Sequence, residues 1–82
     1  MNKKIVKRYP NGITYTKYED GIQEWRQNEL LHREDGPAII YPNGVSHYFI
    51  KGIPYPKAKF LVLTCKDIPE ENKSQVLDIL DI

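Results

Sequence analysis

Short runs of β-branched and aromatic residues alternate with Gly-containing turns over the first two-thirds of the 82-residue chain. Three such turns are Pro10-Asn11-Gly12, Glu19-Asp20-Gly21 and Pro42-Asn43-Gly44. Asn-Gly and Asp-Gly tolerate the positive φ angles that tight hairpins require. The pattern therefore predicts an antiparallel meander of hairpins with strands near 3–9, 13–18, 22–28, 37–41 and 45–50.

The last third has a different pattern, without Gly after Gly52. Segment 56–65 contains the apolar run 60–63, which fits a buried helix and a buried strand equally well by its period. Residues 67–70 have the composition of a helix start, with Asp as N-cap and Pro near the first turn. An apolar stripe at helical spacing follows: Val76, Leu77, Ile79 and Leu80. We expect a helix over about 69–80.

The sequence also contains an internal repeat. A shift of 23 residues aligns Asp20-Gly21-Ile22 with Asn43-Gly44-Val45. The same shift aligns Trp25 with Tyr48 and Leu30 with Ile53. This pattern predicts that one supersecondary unit occurs twice.

The segment Leu31-His32-Arg33-Glu34-Asp35-Gly36-Pro37-Ala38 resembles the MORN-like repeat variant of small bacterial and phage proteins. The similarity covers about residues 20–55. Glu29 stands where the family usually has Gly, and the chain does not repeat the His-Arg signature after Gly52. The resemblance implies stacked antiparallel hairpins closed by a short helix, and it favours a helix for 56–65. We expect an α+β fold in one domain, with a sheet over 1–55 and a helical segment over 56–82 packed on it.

Length and composition exclude several classes of protein. A chain this short has a thin core, which argues against an enzyme with a deep active site. The single Cys65 excludes an intramolecular disulfide and a Cys-based zinc site. No run of about 18 apolar residues and no signal-peptide pattern are present. We expect a cytoplasmic protein without a membrane span.

The net charge of +1 conceals an uneven distribution. Residues 1–18 contain five basic residues and no acidic one, whereas residues 67–82 contain five acidic residues and only Lys73 as a base. The two ends are expected to neutralise each other within the fold or across a dimer. The alternative is that the basic N-terminal strand binds nucleic acid.

The densest polar cluster is His32-Arg33-Glu34-Asp35. A metal-dependent hydrolase could use its imidazole and carboxylates. We favour a structural role, in which Asp35-Gly36 forms a turn and Arg33 reaches a carboxylate on a neighbouring strand. Gly36 is expected to need a positive φ angle. His47 and Cys65 are also interpreted as structural, so the sequence predicts no enzyme, catalytic residue, metal or cofactor.

Aromatic residues crowd the strand region, and Tyr, Trp and Arg are favoured at the centres of protein interfaces. The predicted binding residues are Tyr15, Tyr18, Trp25, Arg26, Arg33 and Tyr48. Family members are generally regarded as interaction modules. We therefore expect a phage or mobile-element accessory protein that inhibits or adapts a host protein in the host cytoplasm. A homodimer through exposed sheet edges, and nucleic-acid or nucleotide binding through the basic strand with Tyr/Trp stacking, are the alternatives.

Overall fold

A computed structural model describes the backbone of residues 3–80 and the side chains of residues 3–79. These residues form an antiparallel sheet and two helices, an α+β fold as predicted. The elements are β1 (Lys4–Arg8), β2 (Ile13–Tyr18), β3 (Gln23–Gln27), β4 (Leu30–Leu31), β5 (Ile39–Ile40), β6 (Ser46–Ile50), β7 (Ile53–Tyr55), α1 (Lys57–Thr64) and α2 (Glu70–Leu80). Residues 1–2 and 81–82, which belong to the predicted segments 1–55 and 56–82, lie outside the described residues.

The sheet has the strand order β1-β2-β3-β5-β6-β7, and β4 pairs with β3 beside β5. All pairs are antiparallel, as the turns predict. The predicted strand over 37–41 shortens to β5, while β4 and β7 were not predicted. Both missed strands contain three residues or fewer, which is too short for side-chain alternation to be visible in the sequence.

The predicted internal repeat appears in the geometry of two hairpins. Arg26 pairs with Leu31 across β3 and β4, and the same shift of 23 places Phe49 opposite Pro54 across β6 and β7. The preceding turns also match: the backbone N–H of Ile22 donates to Asp20 Oδ1 at 3.1 Å, and that of Val45 donates to Asn43 Oδ1 at 3.0 Å. The supersecondary unit therefore occurs twice.

The turn of each repeated hairpin places two residues in the left-handed region. Lys51 and Gly52 have φ angles of 51° and 83°, and the equivalent Asn28 and Glu29 have 51° and 73°. Such two-residue turns favour Asn followed by Gly, because glycine adopts a positive φ without a steric penalty. Glu29 therefore holds a strained conformation at a position suited to glycine.

We expect Glu29→Gly to raise the free energy of unfolding by about 0.5–1 kcal/mol, because relief of strain exceeds the added entropy of the unfolded chain. The melting temperature should rise by about 3–6 °C in a thermal melt followed by circular dichroism. The matched control is Glu34→Gly at an exposed loop position without a positive φ, which should destabilise. A lower melting temperature for Glu29→Gly would contradict the interpretation.

Segment 56–65, which the sequence left open, is helical as α1. Pro56 precedes the first helical residue with an extended conformation. Phe60 and Val62 are buried, and the Phe60 ring lies 4.6 Å from the Tyr48 ring on β6, measured between centroids. Because β6 presents Tyr48 on one face of the sheet, α1 packs on that face.

The predicted helix over about 69–80 is confirmed as α2, which packs on α1. Val76 and Leu77 are half-buried, but Ile79 is 81% exposed and does not belong to the buried stripe predicted for it. Lys73 is instead buried, and its Nζ donates to the Leu63 carbonyl at 2.9 Å and to Glu70 Oε1 at 2.8 Å. A cation at the last carbonyls of α1 is favoured by the helix dipole.

The molecule is elongated and its core is small. Its radius of gyration is 14.4 Å, whereas a compact chain of this length would have about 12 Å. The buried hydrophobic side chains among the described residues are Ala38, Phe60 and Val62. Since Phe60 and Val62 belong to α1, the core lies under the helices, and β1 is exposed along its whole length.

Candidate functional site

A cleft of about 570 Å³ opens between the sheet and the C-terminal end of α1. Trp25 and His32 line its floor, while Tyr9, Asp35 and Lys66 line its rim. Its volume is that of a small-molecule pocket. Because it opens widely to solvent, however, it would leave much of the surface of a bound ligand exposed. The chemistry available in it depends on how its charged side chains are already paired.

Arg33 is held in the cleft by four contacts. Its Cζ lies 3.8 Å from the centroid of the Trp25 ring, its Nε donates to Asp35 Oδ1 at 2.7 Å, and its Nη1 donates to the Pro37 carbonyl at 3.1 Å. Its backbone N–H donates to the Phe49 carbonyl at 3.2 Å. The carboxylate partner thus belongs to the same loop, and the prediction of a partner on a neighbouring strand is wrong.

Gly36 has a different role from the one predicted. Its φ is not positive, but a Cβ built on it would lie 3.0 Å from Arg33 Cζ and 3.1 Å from Nη1. A larger residue would therefore require the guanidinium, which lies between Trp25 and the Pro37 carbonyl, to shift by a few tenths of an ångström. The position thus favours glycine because of close packing rather than because of its backbone conformation.

His32 is buried and structural in its contacts. The Nδ1 atom of its imidazole accepts a hydrogen bond from the backbone N–H of Lys51 at 2.9 Å, and the backbone N–H of His32 donates to the Trp25 carbonyl at 3.1 Å. Its Nε2 lies 3.7 Å from Glu34 Oε1. Within the described residues, no group of three or more His, Cys, Asp or Glu side chains is arranged to hold a metal ion.

Tyr15 and Trp25 lie side by side on the face of the sheet that carries this cleft. They are directly opposite in the β2–β3 register, and their ring centroids are 4.6 Å apart. The Tyr15 hydroxyl donates to Gln23 Oε1 at 2.7 Å. Together with Arg33, whose guanidinium lies over the indole, these residues form the aromatic cluster Tyr15–Trp25–Arg33.

Tyr18 and Arg26 lie on the opposite face, because side chains alternate along β2 and β3. Arg26 Nη2 lies 2.7 Å from Glu24 Oε2, and Glu24 is 8% exposed. A hydrogen bond to the same carboxylate, together with burial, raises the pKa of the Tyr18 hydroxyl above its ordinary value. These two residues therefore satisfy a buried carboxylate.

The six predicted binding residues thus separate into three groups. Tyr15, Trp25 and Arg33 form one cluster, Tyr48 lies on the same face but packs against Phe60 of α1, and Tyr18 and Arg26 lie on the other face. Sequence adjacency of Trp25 and Arg26 does not bring their side chains together, because consecutive strand residues point in opposite directions.

A second candidate surface is the edge formed by β1, whose own five residues are not among the six predicted binding residues. All five of its residues are exposed, and Ile5 is 62% exposed. A shallow cleft of about 520 Å³ at its start is lined by Lys3, Lys4, Ile5, Lys17, Tyr18 and Glu19. The signal for this surface is the basic, β-branched sequence Lys-Ile-Val-Lys-Arg itself.

The charge on β1 is not neutralised by α2 through an ion pair in the described fold. The ion pairs seen there join Arg26 to Glu24, Arg33 to Asp35 and Lys73 to Glu70, besides the His32–Glu34 contact. The predicted neutralisation within the fold therefore finds no support in these contacts.

Neither described helix is long and apolar enough to cross a membrane.

No family model matches this sequence, and no curated protein and no solved structure matches it either. The functional interpretation consequently depends on the geometry of the two surfaces, the aromatic cluster and the β1 edge.

Proposed function

We propose that the protein is a non-enzymatic protein-binding module of the MORN-like type, which a phage or mobile element uses to inhibit or adapt a host protein in the host cytoplasm. The 23-residue hairpin repeat supports the MORN-like assignment, since its turns, pairing and aromatic positions correspond. The loop from His32 to Ala38 serves in this assignment as the connection between the two hairpins.

The observation that carries the proposal is a sheet end that the helices leave open. Residues Ile5 and Lys7 on β1 share a face with Ile13 and Tyr15 on β2 and with Trp25 on β3, as their register requires. Ile5 and Lys7 are exposed, and Ile13, Tyr15 and Trp25 are half-buried. Aliphatic and aromatic side chains surrounded by a polar rim are typical of a protein interface.

The contacts of His32 and Arg33 argue against an enzyme built on this loop. A hydrolase would need the His32 imidazole as a metal ligand or base. Its Nδ1 is occupied by the Lys51 N–H, and the Asp35 carboxylate is held by Arg33. The His32 imidazole is therefore engaged in joining the loop to the β6–β7 turn, and the Asp35 carboxylate is paired within the loop.

The experiment is an affinity pull-down of the tagged protein from a bacterial host lysate, with and without nuclease, analysed by mass spectrometry. We expect one stoichiometric protein that survives nuclease. Lys7→Glu at the open sheet end should abolish its capture, and Lys57→Glu, the same charge change at the exposed start of α1, should not. Recovery of nucleic acid alone would contradict the proposal.

Nucleic-acid binding is the second candidate, and the exposed basic side chains of β1 favour it. The aromatic cluster favours it less, because Arg33 covers one side of the Trp25 indole, and Tyr18 lies beside the Glu24 carboxylate on the opposite face. Binding to a single-stranded oligonucleotide should then weaken with salt, with a log–log slope of about −0.7 for each neutralised phosphate. Salt-independent or absent binding would remove this candidate.

A further inference from the structure

The β1 edge has a defined set of free backbone groups. The N–H of Tyr9 donates to the Ile13 carbonyl and the N–H of Glu19 donates to the Lys3 carbonyl, each at 2.8 Å. In an antiparallel ladder the hydrogen-bonded pairs alternate, so Ile5 and Lys7 also bond to β2. The N–H and C=O groups of Lys4, Val6 and Arg8 therefore point away from β2, towards solvent.

The opposite edge of the sheet is protected against strand addition. β7 spans only three residues, its central residue is Pro54, and the chain enters α1 two residues after the strand ends. A short edge strand with Pro is a common protection of this kind. β1 has five residues and no Pro, so it is the better template for an incoming strand.

The side chains of β1 select what can pair with it. Lys4 and Arg8 flank Val6 on one face, and Lys7 lies next to Ile5 on the other. The residues opposite them on β2 include no acid: Thr14, Tyr15, Thr16, Lys17 and Tyr18. A second copy centred on Val6 would place Lys4 opposite Arg8, and like charges directly opposite each other are destabilising. An acidic segment is complementary.

We infer that β1 binds an extended acidic segment of the partner protein by β-strand addition. Acidic residues lie opposite Lys4, Lys7 and Arg8, and aliphatic residues lie opposite Ile5 and Val6. For an antiparallel partner strand this order is Glu-Glu-Val-Val-Glu. The inference rests on the proposed function, because it gives the class of partner for the same open end of the sheet. Backbone hydrogen bonds between β1 and the partner strand are then the main source of affinity.

The test uses the full chain and the synthetic peptide Thr-Glu-Glu-Val-Val-Glu-Thr in an NMR titration. A peptide with Lys in place of each Glu should bind at least about tenfold more weakly, because it meets like charges. At saturation, hydrogen exchange should slow at the Lys4, Val6 and Arg8 amides by about tenfold or more. The Ile5 and Lys7 amides, already bonded to β2, should change little.

The decisive variant is Val6→Pro, which removes one outward N–H while leaving the β1–β2 hydrogen bonds intact. It should weaken peptide binding by about tenfold or more. Val6→Thr is the matched control, since it keeps the N–H and a β-branched side chain, and it should bind as the unmodified chain does. Unchanged chemical shifts of Trp25 and Phe60 show that each variant is folded.

Three outcomes overturn the inference. They are peptide binding that protects no β1 amide, equal binding by Val6→Pro, and a concentration-dependent dimer whose Lys4, Val6 and Arg8 amides are protected without peptide. Each leaves the proposed function standing if the pull-down still captures one nuclease-resistant protein. Conversely, if the acidic peptide slows hydrogen exchange at the Lys4, Val6 and Arg8 amides, the result supports strand addition at β1. This holds even if the lysate contains no such partner.

Discussion

Phe60→Ala is expected to remove a large part of the stability of the protein. Phe60 is 2% exposed and joins α1 to Tyr48 of β6. Truncating a buried Phe costs about 3–5 kcal/mol, and a chain of this length has a total stability of about 4–12 kcal/mol. Few other buried side chains can compensate, because the core described above is small.

Leu61→Ala is the matched control for this substitution. Leu61 is the next residue of the same helix and is 54% exposed, so its loss should change the free energy of unfolding by less than about 0.5 kcal/mol. Urea denaturation followed by circular dichroism measures both variants. Equal small effects would show that α1 does not hold the core together.

His32→Ala is expected to destabilise the protein by about 2–3 kcal/mol, since it removes a buried imidazole and leaves the Lys51 N–H without its acceptor. His47→Ala is the control, because His47 is exposed and its ladder contacts to β5 are made by its backbone. The same urea denaturation compares the two. If only His32→Ala loses stability, the buried position and the hydrogen bond of His32 are explained by a structural role, without a catalytic one.

His32→Asn separates the hydrogen bond from the remaining packing. The Asn Oδ1 can occupy nearly the position of the imidazole Nδ1 and accept the same N–H. We expect it to recover part of the stability lost in His32→Ala. If His32→Asn and His32→Ala were equally destabilised, the Lys51 hydrogen bond would not be the main contribution.

The hairpins were predictable from the sequence because their determinants are local. The turn at Asp20-Gly21 requires a positive φ at Gly21 and an acceptor at Asp20, and both are visible in the residue types. The 23-residue repeat and α2 were predictable for the same reason, since turn residues and helix starts act within a few positions. The sequence also shows Glu29 at a turn position where glycine is favoured. Its φ of 73° places this residue in the left-handed region, which is strained for a residue other than glycine.

Segment 56–65 was not decidable from its own residues, because four consecutive apolar side chains fit both a helix and a strand. Contact with Tyr48 is what gives Phe60 its buried site in α1. Similarly, the reason for Gly36 is the Arg33 guanidinium beside it, which is positioned by Trp25 from another strand. Such packing depends on long-range contacts that residue type does not encode locally.

The turns, the repeat, the α+β class and the basic character of the first strand follow from the residues themselves. The contact of Trp25 with Tyr15 and Arg33, the opposite orientation of Tyr18 and Arg26, and the position of β1 at the edge of the sheet became visible in the folded chain. They depend on which strands pair and in which register, and both are set by contacts between residues that are distant in the chain.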